Sequence, residues 1–263
     1  MSTKGLADSA PDPTAHAFKA VVLHSEDFPD LESDSRVRVI WVAPDDPDLA
    51  LPDYQAGQYA MLTFSGCAAR PFSIANAPNG KFLEFHIRRT ASGASHYATE
   101  ILKPDDVLDV TAPYGSCLYV PACPRPLIAV AGGTGLAPMK AIVEASIKDA
   151  HSRDVFLYHG VRGLDDLYLE DFFLDLEDTD KRFHYVPVLS EEKIEGIRHG
   201  LVSAEMVKDF PDLKGARIFG AGPVELVRHM TELCLAAGAD PSHIHSDLGY
   251  FNSCTASGSE RDE

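Results

Sequence analysis

AVAGGTGLAPM, Ala129–Met139, reads as an apolar strand, a glycine turn and the start of a helix. Gly132, Gly133 and Gly135 form the turn, and Pro138 falls in the first helical turn, where proline is favoured. Glycines let a backbone approach a pyrophosphate, whose charge is then favoured at the helix start. The spacing is not GxGxxG, so a tight turn in an enzyme that binds something else stays an alternative.

From Pro126 onward, predicted strands alternate with predicted helices. The predicted strands are LIAVAGG, DVFLYHGV, FHYVPVLS, ARIFGAG and HIHSDL, and a predicted helix follows each of the first four. This alternation predicts an α/β domain with a doubly wound parallel sheet. A second glycine turn, FGAGP at Phe219–Pro223, ends one of these strands. Because ligands of such sheets sit beyond the carboxyl ends of the strands, both turns should border one crevice.

The part of the chain before Pro121 has a different rhythm. Six short strands separated by turn signals, FKAVVLHS, RVRVIWVA, QYAMLTF, RPFSIA, FLEFHIRR and DVLDVTA, predict an antiparallel β-barrel. Prolines in PACPRP, Pro121–Pro126, mark the boundary. We therefore predict a barrel domain over 16–122 and an α/β domain over 123–252, with disordered tails at 1–15 and 253–263.

Composition excludes several classes of function. The chain has 263 residues, 45% of them apolar, and a net charge of −17, so it should be globular and a poor partner for nucleic acid or an anionic membrane. It shows neither an apolar run of membrane-spanning length nor a signal peptide, which predicts a cytoplasmic protein. Five cysteines without CxxC spacing predict no disulfide framework and no metal site. Nothing marks an obligate interface, so a monomer is expected.

Two barrel segments mix polar and apolar side chains in an unusual way. In ARPFSIAN, Ala69–Asn76, Arg70 and Phe72 fall on one face of the strand and Ser73 on the other, so the strand must bend or end if all three serve one ligand. A buried phenylalanine beside a surface arginine is the alternative. In FLEFHIRR, His86 and Arg88 share the face opposite the apolar side chains.

TASGASHYATEIL follows directly, with Ser92, Gly93 and Ser95 before a short helical stretch. Free N–H groups at a helix start hold phosphates, and a nearby arginine adds a charge-assisted hydrogen bond. A capped surface helix is the alternative.

In order and spacing, RPFS, GGTGLAPM and GAGP resemble the ferredoxin–NADP reductase superfamily, in which a flavin-binding barrel precedes a nicotinamide-nucleotide domain. AGQYAML and APYGSCLYV support the resemblance, which covers about residues 16–252 and is closest to reductase components of bacterial oxygenases. It implies FAD and NADH as cofactors, with NADPH as the alternative nucleotide. The implied reaction passes hydride from the nicotinamide to flavin N5 and then electrons to a separate iron–sulfur protein, a ferredoxin or an oxygenase component.

The resemblance also implies residue roles. Arg70 would bind the flavin pyrophosphate, Phe72 would pack on the flavin, and Ser73, the candidate catalytic residue, would hydrogen-bond near N5. Arg88 and Ser95 would hold flavin phosphates, whereas the glycine turn would hold the nicotinamide dinucleotide. The candidate cofactor-binding residues are Arg70, Pro71, Phe72, Ser73, His86, Ile87, Arg88, Ser95, Gly132, Gly133, Thr134, Gly135, Arg162, Gly220, Ala221, Gly222, Pro223 and Phe251.

The sequence departs from the family pattern at three points. Ala221 replaces a cysteine near the nicotinamide, Ser92 replaces the first glycine of the flavin phosphate loop, and no four-cysteine ferredoxin cluster is present. Two other functions therefore stay open. One is a flavin reductase that releases free reduced flavin, which the ending HSDLGYF resembles; there Tyr250 or Phe251 would shield the ring. The other is a flavin-carrying subunit of a larger complex.

Charged residues suggest which nicotinamide nucleotide the protein prefers and which surface contacts its partner protein. Arg162 is followed by Asp165 and Asp166 where an adenine ribose should rest, so we expect these acids to repel a 2′-phosphate and to favour NADH. Basic residues of the barrel, namely Arg36, Arg38, Lys81 and Arg89, are candidates for contact with an acidic ferredoxin. The alternative is that they are solvated charges at strand edges.

Overall fold

The structure is a computed structural model that describes residues 15–28, 36–121, 125–149 and 153–246. The first half contains β1 (His16–Phe28), β2 (Val37–Pro44), β3 (Tyr59–Thr63), β4 (Arg70–Ser73), β5 (Leu83–Arg88), α1 (Gly93–Glu100) and β6 (Val107–Tyr114). The second half contains β7 (Leu127–Gly132), α2 (Leu136–Lys148), β8 (Val155–Val161), α3 (Glu170–Thr179), β9 (Phe183–Leu189), β10 (Arg198–His199), α4 (Val202–Asp209), β11 (Arg217–Ala221), α5 (Val224–Ala236) and β12 (Ile244–Ser246). Short 3₁₀ turns lie at Gly133–Gly135, Leu164–Asp166 and Pro241–His243.

The first six strands form one curled antiparallel sheet in the order β4-β3-β6-β1-β2-β5. A single bridge between Ile74 and Phe85 joins the β4 end of the sheet to the β5 end. Large side chains such as Ile40, Phe64 and Phe85 fill the interior because alternate residues of each strand point inward. The predicted antiparallel barrel is confirmed.

The other six strands form a parallel sheet in the order β10-β9-β8-β7-β11-β12. Every residue of the central strand β7 is buried, since helices cover both faces of the sheet. The predicted doubly wound sheet is confirmed. The two-residue strand β10 was not predicted, and Asp247 and Leu248 of the predicted last strand lie outside the described residues.

Strand β5 connects the two halves. Its alternation was predicted, but its polar face is not exposed: Glu84 and His86 are buried because α2 and the segment around Tyr168 pack against that face. The predicted boundary between residues 122 and 123 lies outside the described residues, as do the predicted tails apart from Ala15. Among the helices of the described ranges, none has the length and apolar character that a membrane crossing requires.

Candidate functional site

A cleft of about 910 Å³ separates the barrel strands β4 and β5 from the carboxyl edge of the parallel sheet. Gly132, Gly160, Ser190 and Gly222 line it, and they stand at or just beyond the carboxyl ends of β7, β8, β9 and β11. This is the edge at which open α/β sheets bind ligands. The two glycine turns therefore border one crevice, as the sequence predicted.

The turn Gly132–Gly135 is packed against the end of β11. A β-carbon at Gly135 would lie 2.3 Å from the carbonyl oxygen of Ala221, so only glycine allows this approach. No side chain caps the start of α2, and Thr134 faces the cleft. Uncapped N–H groups and the helix dipole favour an anion there, so the turn fits a phosphate.

The barrel wall of the cleft is formed by the end of β4. The strand ends at Ser73, and Pro71, Phe72 and Ser73 all line the cleft. The Phe72 ring packs edge-on against Phe64 of the barrel core, with ring centroids 6.3 Å apart. Of the two possibilities that the sequence left, a bend or an end of the strand at Ser73, the structure shows the end. Arg70 is exposed and does not line the cleft, so its role stays a prediction.

The short helix α1 brings a second uncapped start to the barrel side. Ser95 and Thr90 line the cleft, and the Ser92 side chain makes no capping hydrogen bond to the helix. The alternative interpretation was a surface helix capped by a side chain, and no such cap is formed by Ser92. The N–H groups at this end fit an anionic group as well.

One carboxylate lies between an arginine of each half. Arg88 of β5 donates from Nη2 to Oδ1 of Asp166 at 3.4 Å, and Arg162 donates from Nε to Oδ2 at 3.1 Å. The Arg88 guanidinium also lies beside the glycine turn, because a β-carbon at Gly133 would be 3.6 Å from its Nη1. Arg88 thus stands between the two predicted phosphate sites.

A buried polar chain joins the halves beneath this cleft. His86 bonds Oε1 of Glu84 through Nε2 at 2.8 Å and the Tyr168 hydroxyl through Nδ1 at 3.1 Å, and Lys140 Nζ lies 3.0 Å from Glu84. Burial lowers the pKa of His86 despite Glu84 and raises that of Tyr168. A neutral His86 therefore donates to Glu84 and accepts from the Tyr168 hydroxyl.

The cleft is lined by Pro71, Phe72, Ser73, His86, Ile87, Arg88, Ser95, Gly132, Gly133, Thr134, Gly135, Arg162, Gly222 and Pro223 of the predicted residues. Gly220 and Ala221 are buried and do not line it. Gly220 is covered by helix α5: a β-carbon added at Gly220 would lie 2.5 Å from Cε of Met230. Phe251 and Tyr250 lie outside the described residues.

Sequence reasoning missed several cleft residues, among them Tyr168, Ser190, Ser203 and His229. Ser190 follows β9, so the rule on carboxyl ends of strands would have found it. Ser203 of α4 bonds Nδ1 of His229 of α5 at 2.8 Å. No local pattern signals that pair, because it depends on the packing of two helices.

The structure corrects the predicted basic docking surface. Arg38 makes two hydrogen bonds to the Asp27 carboxylate at 2.7 and 2.6 Å, Arg36 pairs with Glu100, and Arg89 lies 2.9 Å from Glu100. Three of the four basic residues are therefore compensated by acidic neighbours and do not present a positive surface. Lys81 is exposed.

Known proteins resemble this chain in both sequence and fold. Residues 129–232 match the family model described as an oxidoreductase NAD-binding domain. The reductase component (ferredoxin–NAD(P)⁺) of the naphthalene 1,2-dioxygenase system of Pseudomonas putida is 32% identical over 200 residues, 75% of this chain and 61% of that one. A probable flavin reductase of Aliivibrio fischeri is 31% identical over 183 residues, 67% of this chain and 77% of that one. The crystal structure of the Amycolatopsis cytochrome P450 reductase GcoB has a TM-score of 0.79 at 30% identity, covering 89% of this chain and 69% of that one.

The chain belongs to the ferredoxin–NADP reductase superfamily. Membership confirms the resemblance of RPFS, GGTGLAPM and GAGP to that superfamily. This member spans 61% of the length of the naphthalene dioxygenase reductase component, about three fifths.

Proposed function

We propose that this protein is an NADH-dependent flavoprotein reductase that holds FAD against the barrel and passes electrons to a separate iron–sulfur protein. One observation carries the proposal: a single cleft holds Phe72 and Ser73 on one wall and the Gly132–Gly135 turn on the other. Two dinucleotide cofactors bound to these walls would meet. The similarity to an oxygenase-system reductase component supports the iron–sulfur acceptor.

The residues of each wall suit the group that they would hold. The uncapped start of α1, with Ser95 and Arg88, offers hydrogen-bond donors and positive charge to the flavin phosphates. The Gly132–Gly135 turn offers backbone N–H groups to the pyrophosphate of NADH. Gly222 and Pro223 close the same wall from β11.

Bound FAD and NADH would supply the hydride transfer and the onward electron delivery. Phe72 would give an apolar surface to the flavin and exclude water. Ser73 would donate a hydrogen bond to the flavin, which favours the more negative, reduced form. The His86 to Tyr168 hydrogen bond would hold the two walls at a constant separation.

We infer a monomer that acts in the cytoplasm, with no nucleic acid or membrane partner and with the domain division near residue 122. Cys67, Cys117 and Cys234 are free thiols, as in a reducing compartment, and the net charge of −17 repels nucleic acid. Because Arg36, Arg38 and Arg89 are paired with acids, recognition of an acidic ferredoxin does not rest on them.

A flavin reductase that uses free flavin is the second candidate. Two observations favour it: Arg70 lies outside the cleft lining, so one predicted flavin anchor is not in place, and a relative that this chain covers well is named a probable flavin reductase. The two functions differ in whether flavin stays bound between turnovers.

Gel filtration followed by a turnover assay separates the candidates. The purified chain is loaded with FAD and passed through the gel-filtration column. The ratio of flavin absorbance to protein concentration then gives the fraction of the protein that retains flavin. Retained flavin, NADH-driven reduction of ferricyanide, and fast reduction of a [2Fe–2S] ferredoxin support the proposal. Loss of flavin with saturable turnover of free FMN or riboflavin supports the second candidate. Retained flavin that NADH does not reduce would instead indicate a subunit that needs a larger complex.

A further inference from the structure

Helix α2 ties the α/β half to the barrel at two points beneath the cleft. Its Lys140 Nζ lies 3.0 Å from Oε1 of Glu84 on β5, and its Glu144 Oε2 accepts a hydrogen bond of 2.9 Å from the backbone N–H of Ala77, four residues beyond the end of β4. None of these four residues lines the cleft. Because both contacts lie on one helix, they restrain the distance between the halves more than their rotation about that helix.

Tyr168 joins the halves at the cleft itself, from a different element. It stands two residues beyond the 3₁₀ turn Leu164–Asp166, and its hydroxyl donates to Nδ1 of His86 on β5 at 3.1 Å. Both side chains are buried yet border the cleft, and the two rings meet edge-on with centroids 5.4 Å apart. The Tyr168 ring also packs against Phe28 of β1, with centroids 6.4 Å apart. Tyr168 is therefore a residue of the α/β half whose side chain lies against the barrel.

His86 is held in this orientation by its second hydrogen bond. Its Nε2 donates to Oε1 of Glu84 at 2.8 Å, and the Glu84 carboxylate is held in turn by Lys140 of α2. Loss of the Tyr168 hydroxyl would leave Nδ1 of His86 buried without its donor, a state that native structures avoid. Because His86 is fixed on its Glu84 side, the relaxation would fall on the walls of the cleft.

We propose that Tyr168 is a positioning residue for hydride transfer: its hydroxyl, acting through His86, sets the gap between the flavin wall (Phe72 and Ser73) and the nucleotide wall (Gly132–Gly135). This inference rests on the proposed function, since it assumes that both cofactors bind in the cleft. In that reaction the C–H bond at nicotinamide C4 breaks and its electron pair forms an N–H bond at flavin N5, so NADH is oxidised and the flavin is reduced. A misplacement of about 1 Å costs about 100-fold in rate, so a gap wider by about half an ångström would cost about tenfold.

Stopped-flow reduction of the FAD-loaded chain over a range of NADH concentrations separates positioning from binding. Tyr168→Phe keeps the ring and removes only the hydroxyl. It should lower the limiting reduction rate about 5- to 20-fold while the dissociation constant of NADH stays within about twofold of wild type. Tyr185→Phe is the matched control, because its buried hydroxyl bonds Nδ1 of His159 at the same distance of 3.1 Å but both residues belong to the α/β half. It should change the limiting rate by less than about twofold.

Two further measurements show whether Tyr168 acts through His86. His86→Leu has no Nδ1 to accept the hydrogen bond, so adding Tyr168→Phe to it should change the limiting rate by less than about twofold, because the two changes remove one interaction. In the chain without cofactors, amide hydrogen exchange should become faster in β5 and around position 168 in Tyr168→Phe, while exchange in β11 stays as in wild type.

Three kinetic results overturn the inference: a limiting rate of Tyr168→Phe within about twofold of wild type, an equal loss in Tyr185→Phe, or the full loss when Tyr168→Phe is added to His86→Leu. Exchange that is unchanged, or faster across the whole chain, would also overturn it, since the hydroxyl would then not join the walls or would act only on stability. If the wild-type chain retains flavin that NADH does not reduce, the proposed function fails, whereas exchange in the chain without cofactors still decides whether Tyr168 joins the walls.

Discussion

Replacing Lys140 by methionine removes a cation from between the buried carboxylate of Glu84 and the half-buried carboxylate of Glu144, at the junction of the halves. Lys140 Nζ lies 3.0 Å from Glu84 and 2.6 Å from Glu144, and the side chains of Lys140 and Glu84 are 6% and 7% exposed. Methionine keeps the length of the side chain but leaves both carboxylates without their cation. Breaking a buried pair in this way costs about 3–5 kcal/mol, a large share of the roughly 5–15 kcal/mol that holds a domain folded.

The same change should alter the response to acid. Burial by itself would raise the pKa of Glu84, but the hydrogen bond from His86 and the charge of Lys140 outweigh burial and lower the pKa to about 2. A carboxyl group with a lowered pKa contributes stability above its unfolded value, about 4.3, and loses it as the pH falls towards 2. Without Lys140 the pKa of Glu84 rises, so the variant should lose stability at a higher pH than wild type.

Urea unfolding followed by the fluorescence of Trp41 measures the loss. Trp41 is the only tryptophan of the chain and lies opposite Glu84 in the β2–β5 register, so it reports on this part of the barrel. With a slope of about 3 kcal/mol per molar urea, the midpoint should fall by roughly 1–2 M. Lys148→Met, on an exposed position of the same helix, is the control and should change stability by less than about 0.5 kcal/mol. A Lys140→Met loss below about 1 kcal/mol, or one equal to the control, would refute the reasoning.

Three further changes test the site and the fold. Ser73→Ala should keep its flavin but be reduced by NADH about 10- to 100-fold more slowly in stopped flow, because one hydrogen-bond donor to the developing charge is lost; a wild-type rate would remove Ser73 from the mechanism. Gly135→Ala places a β-carbon 2.3 Å from the Ala221 carbonyl oxygen and should abolish detectable NADH binding while flavin is retained; unchanged NADH titrations would contradict this. Burial lowers the pKa of His159 to about 3, so below about pH 6.5 this histidine is protonated in the unfolded chain but stays neutral in the native state. Stability should therefore fall as the pH drops from 6.5 to 5, and His159→Asn should flatten that slope in urea titrations; an equal slope in both proteins would exclude His159 as its source.

Local patterns in the sequence determined the two sheets and most of the cleft. Alternation in segments such as FLEFHIRR predicted the barrel strands, and the apolar strand before Gly132 predicted a parallel sheet buried on both faces. The resemblance carried by RPFS, GGTGLAPM and GAGP implied that Ser73, Gly135 and Gly222 would meet, and all three line the cleft. The strand and turn predictions succeeded because side-chain periodicity and glycine turns act within a few residues of chain.

Only the tertiary structure decided what covers each polar face and which charges pair. The periodicity of β5 separates Glu84 and His86 from the apolar face but does not say that Lys140 and Tyr168 will bury them. The partners are distant in sequence: Lys140 lies 56 residues from Glu84, and Asp166 lies 78 residues from Arg88. The same limit applies to Arg38 and Arg89, which the sequence alone marks as candidates for a docking surface, since Asp27 and Glu100 reach them only in the folded barrel. An ionic contact depends on distance in space and on burial, and neither quantity is encoded in the spacing of residues along one strand.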